Sequence, residues 1–440
     1  MLSCSEDFKM NISGPSPSNP VPEPKWLTDV LLKFGEIPET VLIDEVRESD
    51  EGRLGKGNII PLMIKYKNKD RVDTNLADNF SKFPKTLIVK YAVSSGSSDS
   101  SFDKGAPMVI DNKVFQFLTV AREGWVFKEM PIGTFSPPKT YHSLAEFKDS
   151  QGMFVLMEDL RTSSTRLDQF HGAQGGSHLG NEASKIRPSL SSKEAWKLAF
   201  EEVALTHAKY WNLRNLPDEA EEKLKFTAWR NGEKRNEWEA SLLACRHAWN
   251  AIDKSKISER VKTFLASCYE NATFDRAVDR MNRRPKTLVH GDFHAKNLFW
   301  NDATKSVIMT DFSEVGIGNP ISDLGQYIIS DVESEVRRLH EHEVLKAYWT
   351  KLTSFGVDPK EYPFSQCWES YKQDSLDRFV WFYPILHYFD YNPQFFHDNI
   401  DTFLEDHNIV AKDFVLVNGV EIVEETNLQE NSSKDFKIAG

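Results

Sequence analysis

The sequence predicts an α+β chain in two lobes, a small β-rich N-terminal lobe and a larger, mainly helical C-terminal lobe. Three observations predict it. Between Val41 and Val93, three runs rich in β-branched and aromatic residues (VLIDEV, IIPLMIKY, TLIVKYAV) are divided by turn residues. From Ser191 onward, apolar residues recur mostly at helical spacing. Between the two regions, Arg161 to Leu190 is polar and rich in Ser, Gly and His, without periodicity.

Composition narrows the class further. The 440 residues are enough for two sizeable lobes, and a 40% hydrophobic, 27% charged chain is an ordinary globular one. A formal charge of −12 argues against a general nucleic-acid binder, which needs a basic face. No basic N-terminal region precedes an apolar run, and no apolar stretch is long enough to span a bilayer. Cys4, Cys245, Cys268 and Cys367 lack CxxC spacing, as expected of reduced thiols in a cytoplasmic chain. No protein partner is indicated.

Taken in order, residues 1–23 are rich in Ser, Pro and Asn and are expected to be disordered. A short helix starts at Pro24 and ends at Gly35. The first two strands are joined by a glycine-rich connection, Asp50 to Asn58. Gly55 and Gly57 there would let backbone N–H groups approach a phosphate. Asn58 breaks the P-loop pattern, and a plain hairpin turn explains the glycines equally well. Lys90 ends the apolar run Leu87-Ile88-Val89, so it must snorkel or find anionic partners. Glu123, on a helix expected over 113–131, could reach it, with Glu129 as the competitor. A buried strand, Gly152 to Met157, leads into Glu158-Asp159-Leu160. Residues 24–160 thus form the N-terminal lobe and 161–190 a flexible insertion.

The C-terminal lobe covers 191–425. Ser191 with Glu194 spells a capping box opening its first helix. Further helices are expected over Trp238–Ile252, Ser258–Met281, Glu333–Phe355 and Ser365–Tyr388. Residues 376–396 are dense in aromatics, explained first by core packing and second by a pocket. Residues 426–440 are a loose tail.

The chemistry concentrates in TLVHGDFHAKNLFWNDATKSVIMTDFSEVGIGNPISDLGQY, Thr287 to Tyr327. A loop carrying His290, Asp292, His294 and Asn297 precedes two apolar runs, Leu298-Phe299-Trp300 and Val307-Ile308-Met309, joined by turn residues. Such a hairpin brings Asn297 beside Asp311. An amide oxygen next to a carboxylate suits a hard cation such as Mg²⁺ alongside phosphates, and leaves Asp292 as a base or orienting group.

His290-x-Asp292-x-x-x-x-Asn297 followed by Asp311-Phe312 has the spacing of protein-kinase catalytic and metal-binding loops. With GNPxxDL after it, the segment resembles the aminoglycoside-phosphotransferase and choline-kinase superfamily, and most of all its ecdysteroid-kinase-like branch. Leu87 to Lys90, the Glu123-x-x-x-Phe127 helix, Phe154 to Leu160 and Leu205-Thr206-His207-Ala208-x-x-Trp211 support this. The resemblance runs from about Trp26 to Tyr388 and implies a protein-kinase-like fold with ATP and Mg²⁺ as cofactors. It implies that Asp292 polarises the acceptor hydroxyl of a small-molecule alcohol. Asn297 and Asp311 would bind Mg²⁺, and Lys90, paired with Glu123, the α/β-phosphates. Adenine would meet backbone groups around Glu158 and Leu160. His290 and Asp323 would brace the loop, and His207 would pack behind it.

Three other readings compete. A zinc hydrolase would use His290 and His294, but these flank Gly291 and Asp292 in a loop rather than on a helix. A degenerate scaffold would have lost the base or a metal ligand, yet Lys90, Asp292, Asn297 and Asp311 all stand. A protein kinase would carry DFG and APE elements, which are missing here.

Overall fold

The computed structural model describes residues 15, 19–54, 58–69, 80–92, 122–128, 130, 133–145, 153–171, 190–218, 220, 224, 235–388, 393–410, 416–417, 419–420 and 423–424. The chain divides into two compact units: Met1–Ser98, Lys113–Met130 and Pro137–Ser163 make the first, and Asp99–Asn112, Pro131–Ser136 and Ser164–Gly440 the second.

The first unit is built on an antiparallel sheet of β1 (Val41–Glu48), β2 (Ile59–Asn68), β3 (Thr86–Ala92), β4 (Thr140–Ala145) and β5 (Met153–Glu158), in the order β1-β2-β3-β5-β4. The edge strand β4 is not anticipated from sequence: TYHSLA has too little alternation to announce itself, and its pairing with β5 makes it a strand. Helix α1 (Pro24–Lys33) has Pro at its start, where the missing N–H costs nothing, and Gly35 beyond its end at φ +70°. It buries Trp26, Leu27, Val30 and Leu31 with Ile60, Leu62, Leu87, Val89 and Phe154 of the sheet. The Thr28 hydroxyl accepts from the Ile43 N–H at 3.0 Å, tying helix to strand.

The second unit is mainly helical. Helix α2 (Ser192–Lys209) opens with the expected capping box, Ser191 accepting from the Glu194 N–H while Glu194 accepts from the Ser191 N–H. Next come α3 (Arg235–Ala251), α4 (Glu259–Asn271) and α5 (Phe274–Arg283). The single helix expected over Ser258–Met281 is therefore two. Ala272 is extended and the Thr273 hydroxyl caps a new helix, bonding the Arg276 N–H. After the hairpin region lie α6 (Ile321–Asp331), α7 (Ser334–Ser354), α8 (Phe364–Asp374), α9 (Asp377–Tyr388) and α10 (Pro393–Asp406).

The helix expected over Ser365–Tyr388 is likewise broken, between α8 and α9. Gly325 of α6 sits so close to the break that a Cβ there would collide with the main chain of Ser375. Within α9, Pro384 cannot donate to the Val380 carbonyl one turn back. The Tyr269 hydroxyl donates to that carbonyl instead, at 2.5 Å. Of the described aromatics in this segment, Phe379, Trp381 and Tyr383 are core, while Phe382, Tyr388, Phe395 and Phe396 are half-buried.

Residues 161–171, read from sequence as the start of a flexible insertion, instead carry regular structure. One 3₁₀ turn spans Leu160–Thr162 and another Leu167–Gln169. Between them β6 (Thr165–Arg166) pairs with Phe299 and Trp300, and Arg166 forms an ion pair with fully buried Asp168 at 2.6 Å. Residues 172–189, the N-terminal residues 1–14, the Gly55–Gly57 stretch, Glu129 and the 426–440 tail lie outside the described residues. Among the described residues no helix is long and apolar enough to cross a membrane.

Candidate active site

In the second unit, β7 (Thr287–Val289) leads into the His290–Asn297 loop, and β8 (Leu298–Asn301) turns back through β9 (Ser306–Met309). The β8–β9 register pairs Leu298 with Met309 and Asn301 with Ser306, so Asn297 and Thr310 meet at the open end of the hairpin. There the Thr310 N–H and hydroxyl both donate to the Asn297 carbonyl, at 2.8 and 3.0 Å. Asp311 follows at once in the left-handed region (φ 61°, ψ 66°), a conformation tolerated best by Asp, Asn and Gly. β10 (Gly316–Gly318) then pairs with β7 and returns the chain to α6.

The loop has little regular structure, and α6 holds it. Asp323 Oδ2 accepts from the His290 N–H (2.8 Å) and from His207 Nε2 (3.2 Å), while Oδ1 accepts from the Gly291 N–H (2.9 Å). At the far end of the same helix, Asp331 accepts from the Ala295 N–H at 2.9 Å. Between them, Gln326 donates to Asp292 Oδ1 at 2.8 Å. Gly291 has φ +79°, which a side chain would resist. Burial alone would raise the Asp323 carboxyl, but His207, His290 and the Gly291 N–H outweigh it and hold it below the ordinary range. For Asp331 burial wins, and its carboxyl is pushed up to about 6.

His290 is fully buried and committed at both ring nitrogens: Nε2 donates to the Thr310 carbonyl at 3.0 Å, and Nδ1 accepts from the Asp292 N–H at 3.3 Å. Burial lowers its pKa, more than the surrounding carboxylates raise it, so it serves as a neutral brace. It has no free lone pair for zinc, which removes the hydrolase reading. Fully buried His207 lies between Asp323 and the Tyr348 hydroxyl.

Asp292 is the most heavily contacted group here. Asn297 Nδ2 donates to its carbonyl (3.0 Å) and its Oδ2 (3.2 Å), and His294 Nε2 stands 3.4 Å from Oδ2. Arg378, from α9, donates to Oδ1 at 2.9 Å. Burial pushes this carboxyl up, yet His294, Arg378 and Gln326 together bring it well below the ordinary range. Asp292 is therefore ionised at neutral pH and oriented. Arg378, Gln326 and Asp331 are absent from the sequence expectations.

The donor set fits Mg²⁺. With the Asn297 NH₂ group committed to Asp292, its amide oxygen is the end left for a cation, and Asp311 adds a carboxylate from the adjoining strand end. Among the described residues no cluster of three or more His, Cys, Asp or Glu side chains forms a metal site of its own, so such a cation would need ligands from elsewhere, as phosphates provide.

In the first unit, Lys90 lies on β3 between Ile59 and Val155, and its ammonium forms an ion pair with Glu123 from the helical residues 122–128. Both side chains are buried, so each offsets the desolvation of the other. Gly55 and Gly57 lie outside the described residues. The connection that holds them is anchored before it by Arg53, which bonds Glu48 at 2.6 Å and the Tyr91 hydroxyl at 2.8 Å. Glu158 closes β5 with its carboxylate accepting from the Lys139 N–H at 2.7 Å, and Leu160 is buried in the following 3₁₀ turn.

An antiparallel sheet unit with a buried Lys–Glu pair and a helical unit with an HxD…N…D loop define a kinase-like fold. Consistent with that class, the model of the ecdysteroid kinase-like family matches residues 187–356. That span takes in the loop, the hairpin and α6, but not Lys90, Glu123 or Arg378. No curated protein matches the sequence. Among solved structures, similar chains include wild-type aminoglycoside 2′-phosphotransferase-IIIa in its GDP complex (13% identity, 87% of this chain and 97% of that one, TM-score 0.39). A choline kinase from Streptococcus pneumoniae (12%, 86% and 99%, 0.37) and an ethanolamine kinase from Plasmodium vivax (12%, 86% and 86%, 0.43) are others.

Proposed function

We propose that the protein is an ATP- and Mg²⁺-dependent phosphotransferase that moves the γ-phosphoryl group to a hydroxyl of a small molecule, in the cytoplasm. The observation that carries this reading is Asp292: an ionised carboxylate, oriented by four side chains, beside an amide–carboxylate pair suited to Mg²⁺. Phosphoryl transfer asks little covalent chemistry of a protein and much positioning. In this reading Asp292 orients the acceptor hydroxyl and takes its proton. Asn297 and Asp311 hold Mg²⁺, which when bound neutralises charge on the phosphate oxygens. Lys90, kept in place by Glu123, binds the α/β-phosphates. Gly55 and Gly57 approach them by backbone, and the main chain around Glu158 and Leu160 receives adenine. His290, Asp323 and His207 keep the loop in shape.

The test is ATP consumption across a panel of small alcohols, with Asp292→Asn as the blank. Turnover in the variant is expected to fall by a factor on the order of 10²–10⁴, the usual worth of a positioned base, while MgATP binding by calorimetry stays near the native value. An Asp292→Asn protein that turns over at the native rate refutes the assignment.

A further inference from the structure

Arg378 belongs to no motif in the sequence and lies beyond the span matched by the family model. The fold nevertheless spends much to place it. Its helix is anchored one residue earlier, where Asp377 meets buried Arg280 at 3.0 Å. The guanidinium sits 4.2 Å over the Phe382 ring, donates to the Gly291 carbonyl and to Asp292 Oδ1, and reaches Glu314 at 3.3 Å. Only a planar fork makes these contacts together; a lysine ammonium is a point charge.

The lengths of the contacts to the two Asp292 oxygens decide what this does. Each carboxylate oxygen offers two lone pairs. Oδ1 takes Gln326 at 2.8 Å and Arg378 at 2.9 Å, and is filled. Oδ2 takes Asn297 at 3.2 Å and faces His294 at 3.4 Å, two longer contacts that an incoming hydroxyl displaces more readily than the pair on Oδ1. We propose that Arg378 is a positioning residue for the transfer step: with Gln326 it saturates Oδ1, so that the acceptor's proton goes to Oδ2. In that step the acceptor oxygen bonds to the γ-phosphorus and the bond to the β–γ bridging oxygen breaks. ADP leaves with that electron pair, and the hydroxyl proton passes to Asp292 Oδ2. The inference rests on the reading of Asp292 as the base.

The experiment uses the full chain, MgATP and the panel alcohol that gives the fastest ATP consumption. Arg378→Met is expected to lower kcat about 10- to 100-fold, the scale of an ångström-sized misplacement, with KM for MgATP within about twofold of native. Arg378→Lys recovers part of the loss. Gln326→Leu, which removes no charge and so keeps the test alive if the Met variant does not fold, lowers kcat in the same way. The double variant falls little below the worse single one, because both side chains act on one oxygen. Native kcat in Arg378→Met or Gln326→Leu, with Asp292→Asn inactive, overturns this inference and leaves the base standing. So does a loss that appears only in KM for MgATP. Native turnover in Asp292→Asn removes the base and this inference with it.

Discussion

Asp323→Asn tests whether α6 is the frame of the loop. The carboxylate is buried and accepts three bonds, from the His290 N–H, the Gly291 N–H and His207. An amide of the same shape keeps one oxygen. Its better orientation leaves that oxygen on the side of His290 and His207, and turns its NH₂ toward the Gly291 N–H. A buried donor facing a donor costs about 1–3 kcal/mol, and each of the other two bonds loses about 1 kcal/mol of charge assistance. The expected destabilisation is therefore about 3–5 kcal/mol, read from urea unfolding at pH 7.5. The pH dependence has a definite sign. Because the folded carboxyl is held below its ordinary value, its contribution is full above the unfolded pKa of about 3.9 and is lost as pH falls through the folded one. The gap between native and variant proteins should be flat from about pH 8 to 5 and narrow below about pH 4. A gap under about 1 kcal/mol at pH 7.5, or one that widens in acid, refutes the reasoning.

Three further outcomes are expected. Lys90→Met takes the ammonium away from buried Glu123 and should cost up to about 3–5 kcal/mol as well as MgATP affinity; adding Glu123→Leu should recover part of the stability but not the affinity, as denaturation and calorimetry together would read. Asp311→Ala should steeply raise the Mg²⁺ concentration needed for ATP consumption, or abolish it; an unchanged Mg²⁺ titration would remove Asp311 from the ligand set. Tyr269→Phe should cost about 1–3 kcal/mol by leaving the Val380 carbonyl unpaired, and distinctly less in a Pro384→Ala background, where the restored N–H can take that carbonyl.

What was legible in the sequence is what local patterning writes. β1, β2, β3 and β5 follow from apolar runs bounded by turn residues, and the Ser191 cap from one hydroxyl and one carboxylate three residues apart. The two split helices were not legible, because each break depends on something outside helical periodicity. One is a threonine able to cap as easily as continue. The other is a glycine on another helix, some fifty residues earlier, that lets Ser375 approach. β4 and β6 exist through their partners, β5 and β8, and their own side chains barely predict them.

The loop shows the same division at the level of chemistry. His290, Asp292 and Asn297 lie within eight residues, and Asp311 is brought back by a hairpin whose register the apolar runs fix. What holds these groups in place comes mostly from α6, and there the sequence suggested only Asp323. Asp323, Gln326 and Asp331 fall on one side of that helix, since offsets of three and eight residues are about 300° and 80° around it. They meet the start, the middle and the far part of the loop in turn. A polar stripe of this kind reads in sequence as a solvated face. Its members are instead nearly inaccessible, and each is aimed at a loop group whose own partner could not be foreseen. Arg378 is further removed still: 86 residues from Asp292, on a helix whose neighbouring residues are mostly aromatic core. Short-range motifs thus locate the polar groups of the loop, while the residues that hold Asp292 in place are set by packing between distant helices.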